Sequence, residues 1–260
     1  MERPTLELTI RGAAGRMPAE KARTEAVLVP AAEVPPARVE EMFALMERYY
    51  DRVTRANFLA DLAEKQWVIV LLDPQTGVLH GFSTQVLLEV EVEGAAVRAL
   101  FSGDTIVAQE RWGETALVRA WARLALALID RYAPEPLYWF LISKGYKTYR
   151  FLPLFFREFY PRFDFPTPAW ATKIIDALGR YKFPGAYDAA AGIVRGGEQK
   201  DRLKPGVADL TAERLRDPHV RFFAERNPGH VRGEELCCLA RLARDNVTRA
   251  ACRILGCELT

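Results

Sequence analysis

The sequence is short of cysteine, histidine, net charge and long apolar runs, and each shortage closes off a class of function. Its 260 residues hold four cysteines and three histidines. The cysteines, Cys237, Cys238, Cys252 and Cys257, all fall late. They form no Cys-x-x-Cys pair and have no His-x-x-x-His beside them, so their spacing fits no zinc site. Reduced thiols packed on helices are the expectation, with no metal. The 36 basic and 34 acidic residues leave a net charge of +2. They are interspersed, and no basic run carries interleaved aromatics, which argues against a nucleic-acid partner. No stretch reaches the ~18 uninterrupted apolar residues of a membrane span. The opening "MERPTLELTIRGAAGRMPAEKARTE" lacks the apolar centre of a signal peptide. A soluble, cytoplasmic protein is expected.

What is present is core material: half the residues are hydrophobic and 11% are aromatic, enough to fill a sizeable interior. "EAVLVP" reads as a short strand. From Arg38 to Tyr50 apolar residues follow helical spacing behind Pro35 and Pro36, and "TRANFLADLAEK" predicts a second helix with Thr54 as N-cap. "QWVIVLLD", "VLHGFSTQVLLEVEV" and "VRALFSGDTIVA", separated by the turns "PQTG" and "EGAA", predict a three-stranded antiparallel meander. A long amphipathic helix is expected over Gly113–Tyr132. "LYWFLIS" then reads as a strand covered on both faces, because it shows no polar alternation. Past Pro166 the chain turns loop-rich, with helices expected at Ala171–Arg180, Thr211–Arg216 and Gly233–Leu255. This suggests two parts, residues 1–165 and a helical extension over 166–260, packed together.

The segment "VAQERWGETALVRAW" joins a strand to the long helix. Such a junction suits phosphate, because the first helical turn offers free N–H groups and the positive end of the dipole. Taken with the order strand, helix, helix, meander, long helix, strand, helix, the layout from Glu25 to Phe165 resembles that of the GNAT superfamily of N-acyltransferases. The resemblance implies an α/β fold: a central, mostly antiparallel sheet flanked by helices. It also implies an acyl-thioester co-substrate, either acyl-CoA or the phosphopantetheine arm of an acyl-carrier protein, and an amine acceptor on a small molecule or a peptide. The donor would lie along the strand end Ile106, Val107 and Ala108, and its phosphates on the loop Arg111, Trp112, Gly113, Glu114 and Thr115. Trp112-Gly113 matches a Trp-Gly pair common in the family. Thr115 and Leu117, however, stand where the family's pattern has Gly and then Gly or Ala, and bare backbone is what lets phosphate oxygens reach N–H groups. A GNAT-like module that binds a thioester or a protein partner without catalysis is the rival reading.

Amide formation needs a base for the amine proton and an acid for the leaving thiolate. Asp104, the one carboxylate of "RALFSGDTIVA", is the candidate base, or else it caps a bulge beside Gly103. By resemblance the acid is a tyrosine after the fifth family strand, for which Tyr149 is the candidate and Tyr146 the weaker one. Ser143 would bond the donor's pantetheine arm or cap the next helix. His80, at a strand start, reads better as a hydrogen-bonded structural residue than as a catalyst. Ten aromatics crowd between Tyr146 and Trp170. They either pack the extension onto the sheet or wall an apolar channel for a medium or long acyl chain.

Overall fold

The structure is a computed structural model that describes residues 24–197 and 199–255. The elements run, in chain order, β1 (Glu25–Pro30), α1 (Pro36–Tyr49), β2 (Tyr50–Asp51), α2 (Arg55–Ala63), β3 (Trp67–Leu72), β4 (Leu79–Val92) and β5 (Ala95–Val107). There follow α3 (Ala116–Tyr132), β6 (Leu137–Ser143), α4 (Tyr146–Tyr149), α5 (Phe151–Phe155), β7 (Phe159–Tyr160) and α6 (Ala169–Lys182). The remainder holds β8 (Tyr187–Asp188), β9 (Ile193–Val194), β10 (Arg202–Leu203), α7 (Pro218–Arg226), β11 (Glu235–Leu242) and α8 (Arg249–Leu255). One sheet carries the order β1-β3-β4-β5-β6-β11-β9-β8, with β7 also on β11, and β10 pairs separately with β2. Every contact in the sheet is antiparallel except β5 with β6, which the α3 crossover makes parallel.

The expected meander is β3-β4-β5, and β6 is buried on both faces as its unbroken apolar run requires. Leu137, Trp139 and Leu141 join the core under α3, where Leu117, Ala120, Leu124 and Leu128 supply the helix stripe. Tyr138 and Phe140 face α6 with Ile174, Ile175 and Leu178. Thr54 caps α2 as predicted, its Oγ1 accepting from the Asn57 N–H at 3.2 Å. The long helix starts at Ala116 rather than Gly113. Gly113 sits at φ +94°, a left-handed conformation that ends the preceding turn and cannot continue into a right-handed helix.

The extension departs from expectation. In place of one helix over Gly233–Leu255, residues Glu235–Leu242 form a strand and only Arg249–Leu255 are helical. β11 lies against β6 over the register Leu236↔Ser143 to Leu242↔Leu137. Its residues alternate between the two cores, Leu236, Cys238, Ala240 and Leu242 on one side and Cys237 and Leu239 on the other. With both faces buried the strand shows no polar alternation, and periodicity alone does not separate it from a buried helix. Cys237, Cys238 and Cys252 are buried, while Cys257 lies outside the described residues. Among the described residues no cluster of three or more His, Cys, Asp or Glu side chains is arranged to hold a metal ion. None of the helices described is long and apolar enough to cross a membrane.

Candidate active site

The parallel pair β5–β6 is in register from Arg98↔Leu137 to Ser102↔Leu141 and then parts. Past that point β5 runs on to Val107, still held to β4 on its other side down to Gly81↔Val107, so among the described residues its β6-facing edge is left without a strand. The parting opens a cleft of about 1100 Å³ whose walls include Gly103, Asp104, Thr105, Ile106 and Val107 from β5, and Ile142, Lys144, Gly145 and Tyr146 from the end of β6.

The reason β5 changes course is a bulge. Ser83 pairs with Thr105 and Gln85 with Ser102, so Gly103 and Asp104 together oppose Thr84. A Cβ on Gly103 would stand 2.6 Å from Thr84 Oγ1 and 2.8 Å from Lys65 Cε, so this position needs glycine. The bulge turns Asp104 into the cleft, where no side chain among the described residues forms a hydrogen bond or ion pair with it. Burial, together with the nearby Asp61 carboxylate, pushes the Asp104 carboxyl up to about 7, against the pull of Lys144 and Lys65. A carboxylate at that value is a competent proton acceptor near neutrality.

Around Asp104 the cleft is charged. Lys144 pairs with Asp201 and lies 3.6 Å from Glu235, which Lys200 also contacts at 2.8 Å. Burial works against the Lys144 charge, but Glu235 and Asp201 outweigh it and hold the ammonium protonated. Its Nζ stands 5.3 Å from the Tyr50 ring centre. Tyr50 lines the same end; burial, with the Asp104, Glu235 and Asp201 carboxylates, pushes its phenol well above the usual range and so keeps it protonated. Beneath the bulge, Lys65 Nζ pairs with Asp61 at 2.6 Å, and Lys182 of α6 bridges to Asp61 at 3.6 Å and to Glu64.

At the other end the loop after β5 meets α3. Trp112 turns its Nε1–H back onto the Val107 carbonyl at 2.9 Å, and Lys147 Nζ sits 3.6 Å over its ring. Arg111 contacts Glu114 at 3.2 Å and lies 4.0 Å from Asp73. Glu114 also accepts from Thr24, and these hydrogen bonds outweigh burial and hold its carboxyl below the usual range. Thr115 precedes α3 with no capping bond from its side chain, so the first-turn N–H groups of α3 keep no intrahelical acceptor. Gly113, Thr115, Leu117 and Val118 line the cleft here, beside Phe151, Leu154 and Phe155 of α5.

Of the residues singled out in the sequence, the cleft brings together Asp104, Ile106, Val107, Arg111, Trp112, Gly113, Glu114, Thr115 and Tyr146. Three lie off it. Ala108 is buried beneath the loop. Ser143 is buried and donates to the Gly145 carbonyl at 2.8 Å. Tyr149 is 0% exposed, and its hydroxyl donates to the Pro161 carbonyl at 2.9 Å. His80 contacts Arg111 at 3.4 Å. The aromatic run divides: Phe151 and Phe155 reach the cleft, Phe156 and Phe159 pack in the core, and Phe163 and Phe165 are exposed. Sequence reasoning passed over Tyr50, Lys144, Asp201 and Glu235, which carry no motif.

No family model matches the chain, and no curated protein matches it. Solved structures do. One is a probable N-acyltransferase from Enterococcus faecalis V583, 17% identical over 52% of this chain and 33% of that one, with a TM-score of 0.39. A GNAT N-acetyltransferase (YhbS) from Escherichia coli, solved with CoA, is 15% identical over 50% of this chain and 67% of its own, at a TM-score of 0.35. The N-myristoyltransferase of Saccharomyces cerevisiae, solved with myristoyl-CoA, is 13% identical over 51% of this chain and 31% of its own, at 0.38. The matched region thus spans about a third of the first and third of these chains. At these scores the likeness is one of layout.

Proposed function

We propose that this protein is an N-acyltransferase that moves an acyl group from acyl-CoA to an amine. The observation that carries the reading is the cleft between the parted strands β5 and β6: the N-terminus of α3 at one end, and at the other a carboxylate with its pKa raised to about 7. The pantetheine arm would run along the open edge of β5, pairing with it as a strand does, with the pyrophosphate on the Gly113–Thr115 loop and the first turn of α3. The thioester then lies near Asp104. The amine nitrogen forms a bond to the thioester carbon, Asp104 takes the amine proton, and the C–S bond breaks to release the thiolate. Tyr50, protonated and in the same end of the cleft, donates a hydrogen bond to the departing sulfur, which takes its proton from water, and the Lys144 ammonium steadies negative charge until it does. Tyr149 has no part in this step.

Phe101, Ile142 and Phe183 give the Asp104 end of the cleft an apolar wall, which supports a medium or long acyl chain. Each CH₂ buried there contributes about 0.8 kcal/mol, or about fourfold in affinity. One feature favours a second donor: the ionised Glu114 beside the loop opposes a pyrophosphate, whereas the arm of an acyl-carrier protein brings none. The test is thiol release from acyl-CoA of two to about sixteen carbons and from matching acyl-carrier protein, with a panel of amines. Release with affinity rising along the chain supports the reading. Strict acetyl use returns the aromatics to a packing role, carrier-only activity selects the second donor, and donor binding without any release leaves a binding module.

A further inference from the structure

A second, smaller site stands at the start of β6, at the opposite end of the strand from the cleft. We propose that Tyr138, Tyr160, Trp170 and Glu158 form a binding site for a methylated ammonium group. Three adjacent strands build it: Tyr138 on β6 lies directly across from Arg241 on β11, and Tyr160 on β7 across from Leu239. These side chains share the α6 face of the sheet, and Trp170 from the first turn of α6 stands over them. The Tyr160 and Trp170 rings meet at 87° with centres 5.7 Å apart, and Tyr138 and Trp170 stand 6.2 Å apart at 40°. Together with Leu239 as floor and Glu158 at the rim, they enclose a notch of about 130 Å³, enough for one compact cation.

Aromatic faces set at an angle around a small hollow attract a cation through their quadrupoles, and a carboxylate at the rim adds charge. Glu158 is fixed in place. Asn246 accepts from its N–H at 2.8 Å and donates to its carbonyl at 2.9 Å, and Tyr160 donates to its Oε1 at 2.8 Å. Arg241 also lines the notch, and its guanidinium is paired with Asp245 at 2.8 Å. The chemistry selects methylated over bare ammonium. A primary ammonium needs three strong acceptors to replace its water, and among the described residues the notch offers one carboxylate, Glu158, already engaged by Tyr160, and two weakly accepting phenol oxygens. A methylated ammonium asks for apolar contact and charge, which the rings and Glu158 supply.

The test is calorimetric titration of the whole protein with tetramethylammonium, choline and ammonium chlorides at matched ionic strength. Saturable binding of the first two and none of ammonium is expected. Trp170→Leu should weaken tetramethylammonium binding about tenfold or more, Trp170→Phe less than about threefold, and Glu158→Gln by several fold. Trp170 is 42% exposed, so both substitutions at this position are compatible with folding, which a melting curve checks. Ammonium binding as well as tetramethylammonium, an unchanged affinity in Trp170→Leu, or no saturable binding up to about 100 mM would each overturn the assignment.

Discussion

Replacing Asp104 with Asn should stabilise the protein while disabling it. The carboxyl stands about three units above its ordinary value of 3.8, chiefly because burial disfavours the charge. Three units correspond to a ceiling of about 4 kcal/mol. The side chain is only half-buried and faces a cleft open to water, which trims the cost to about 1–2 kcal/mol. The unfolded chain loses this proton near pH 4, and the folded chain holds it to about pH 7. Stability therefore falls as pH rises across that window, and the full penalty is present above it. Asn carries no charge to bury, so the variant should match the parent near pH 4 and exceed it by about 1–2 kcal/mol near pH 8, read by urea denaturation. Over the same range the parent's kcat/KM should climb with pH through about 7, where the base becomes free to accept a proton. The variant should fall by about 10²–10⁴ in turnover, measured by thiol release. Wild-type turnover in Asp104→Asn, or a stability gain as large near pH 4 as near pH 8, would refute the reasoning and leave Asp104 as a part of the bulge.

Tyr149→Phe removes a buried hydrogen bond to Pro161 and should cost about 1–3 kcal/mol of stability because the carbonyl loses its partner, with kcat unchanged; a large loss of kcat at normal substrate affinity would return the acid role to Tyr149. Tyr50→Phe should lower kcat about tenfold or more, and the loss should shrink with thioesters of more acidic thiols, which leave without a proton. Gly113→Ala meets no atom within 4 Å, but its φ of +94° is strained for any side chain. It should cost about 1 kcal/mol in stability and raise KM for acyl-CoA more than it lowers kcat.

What the sequence determined by itself is local. The stripe of α3, the Thr54 cap, the meander turns and the two-faced burial of β6 follow from spacing over a few residues, and Trp112-Gly113 marks the loop because a left-handed turn there demands glycine. Asp104 stands out locally too, as the one carboxylate of its strand, beside a glycine. Tertiary structure alone decided the rest. β11 is a strand because β6 has an unpaired edge to fill, and its apolar run would suit a buried helix as well. The charged end of the cleft gathers Tyr50, Lys144, Asp201 and Glu235 from distant parts of the chain, where neither periodicity nor motif records their meeting. Tyr149 and Tyr50 are alike as letters. They differ because one hydroxyl is buried against a carbonyl and the other lines the space left where two parallel strands part.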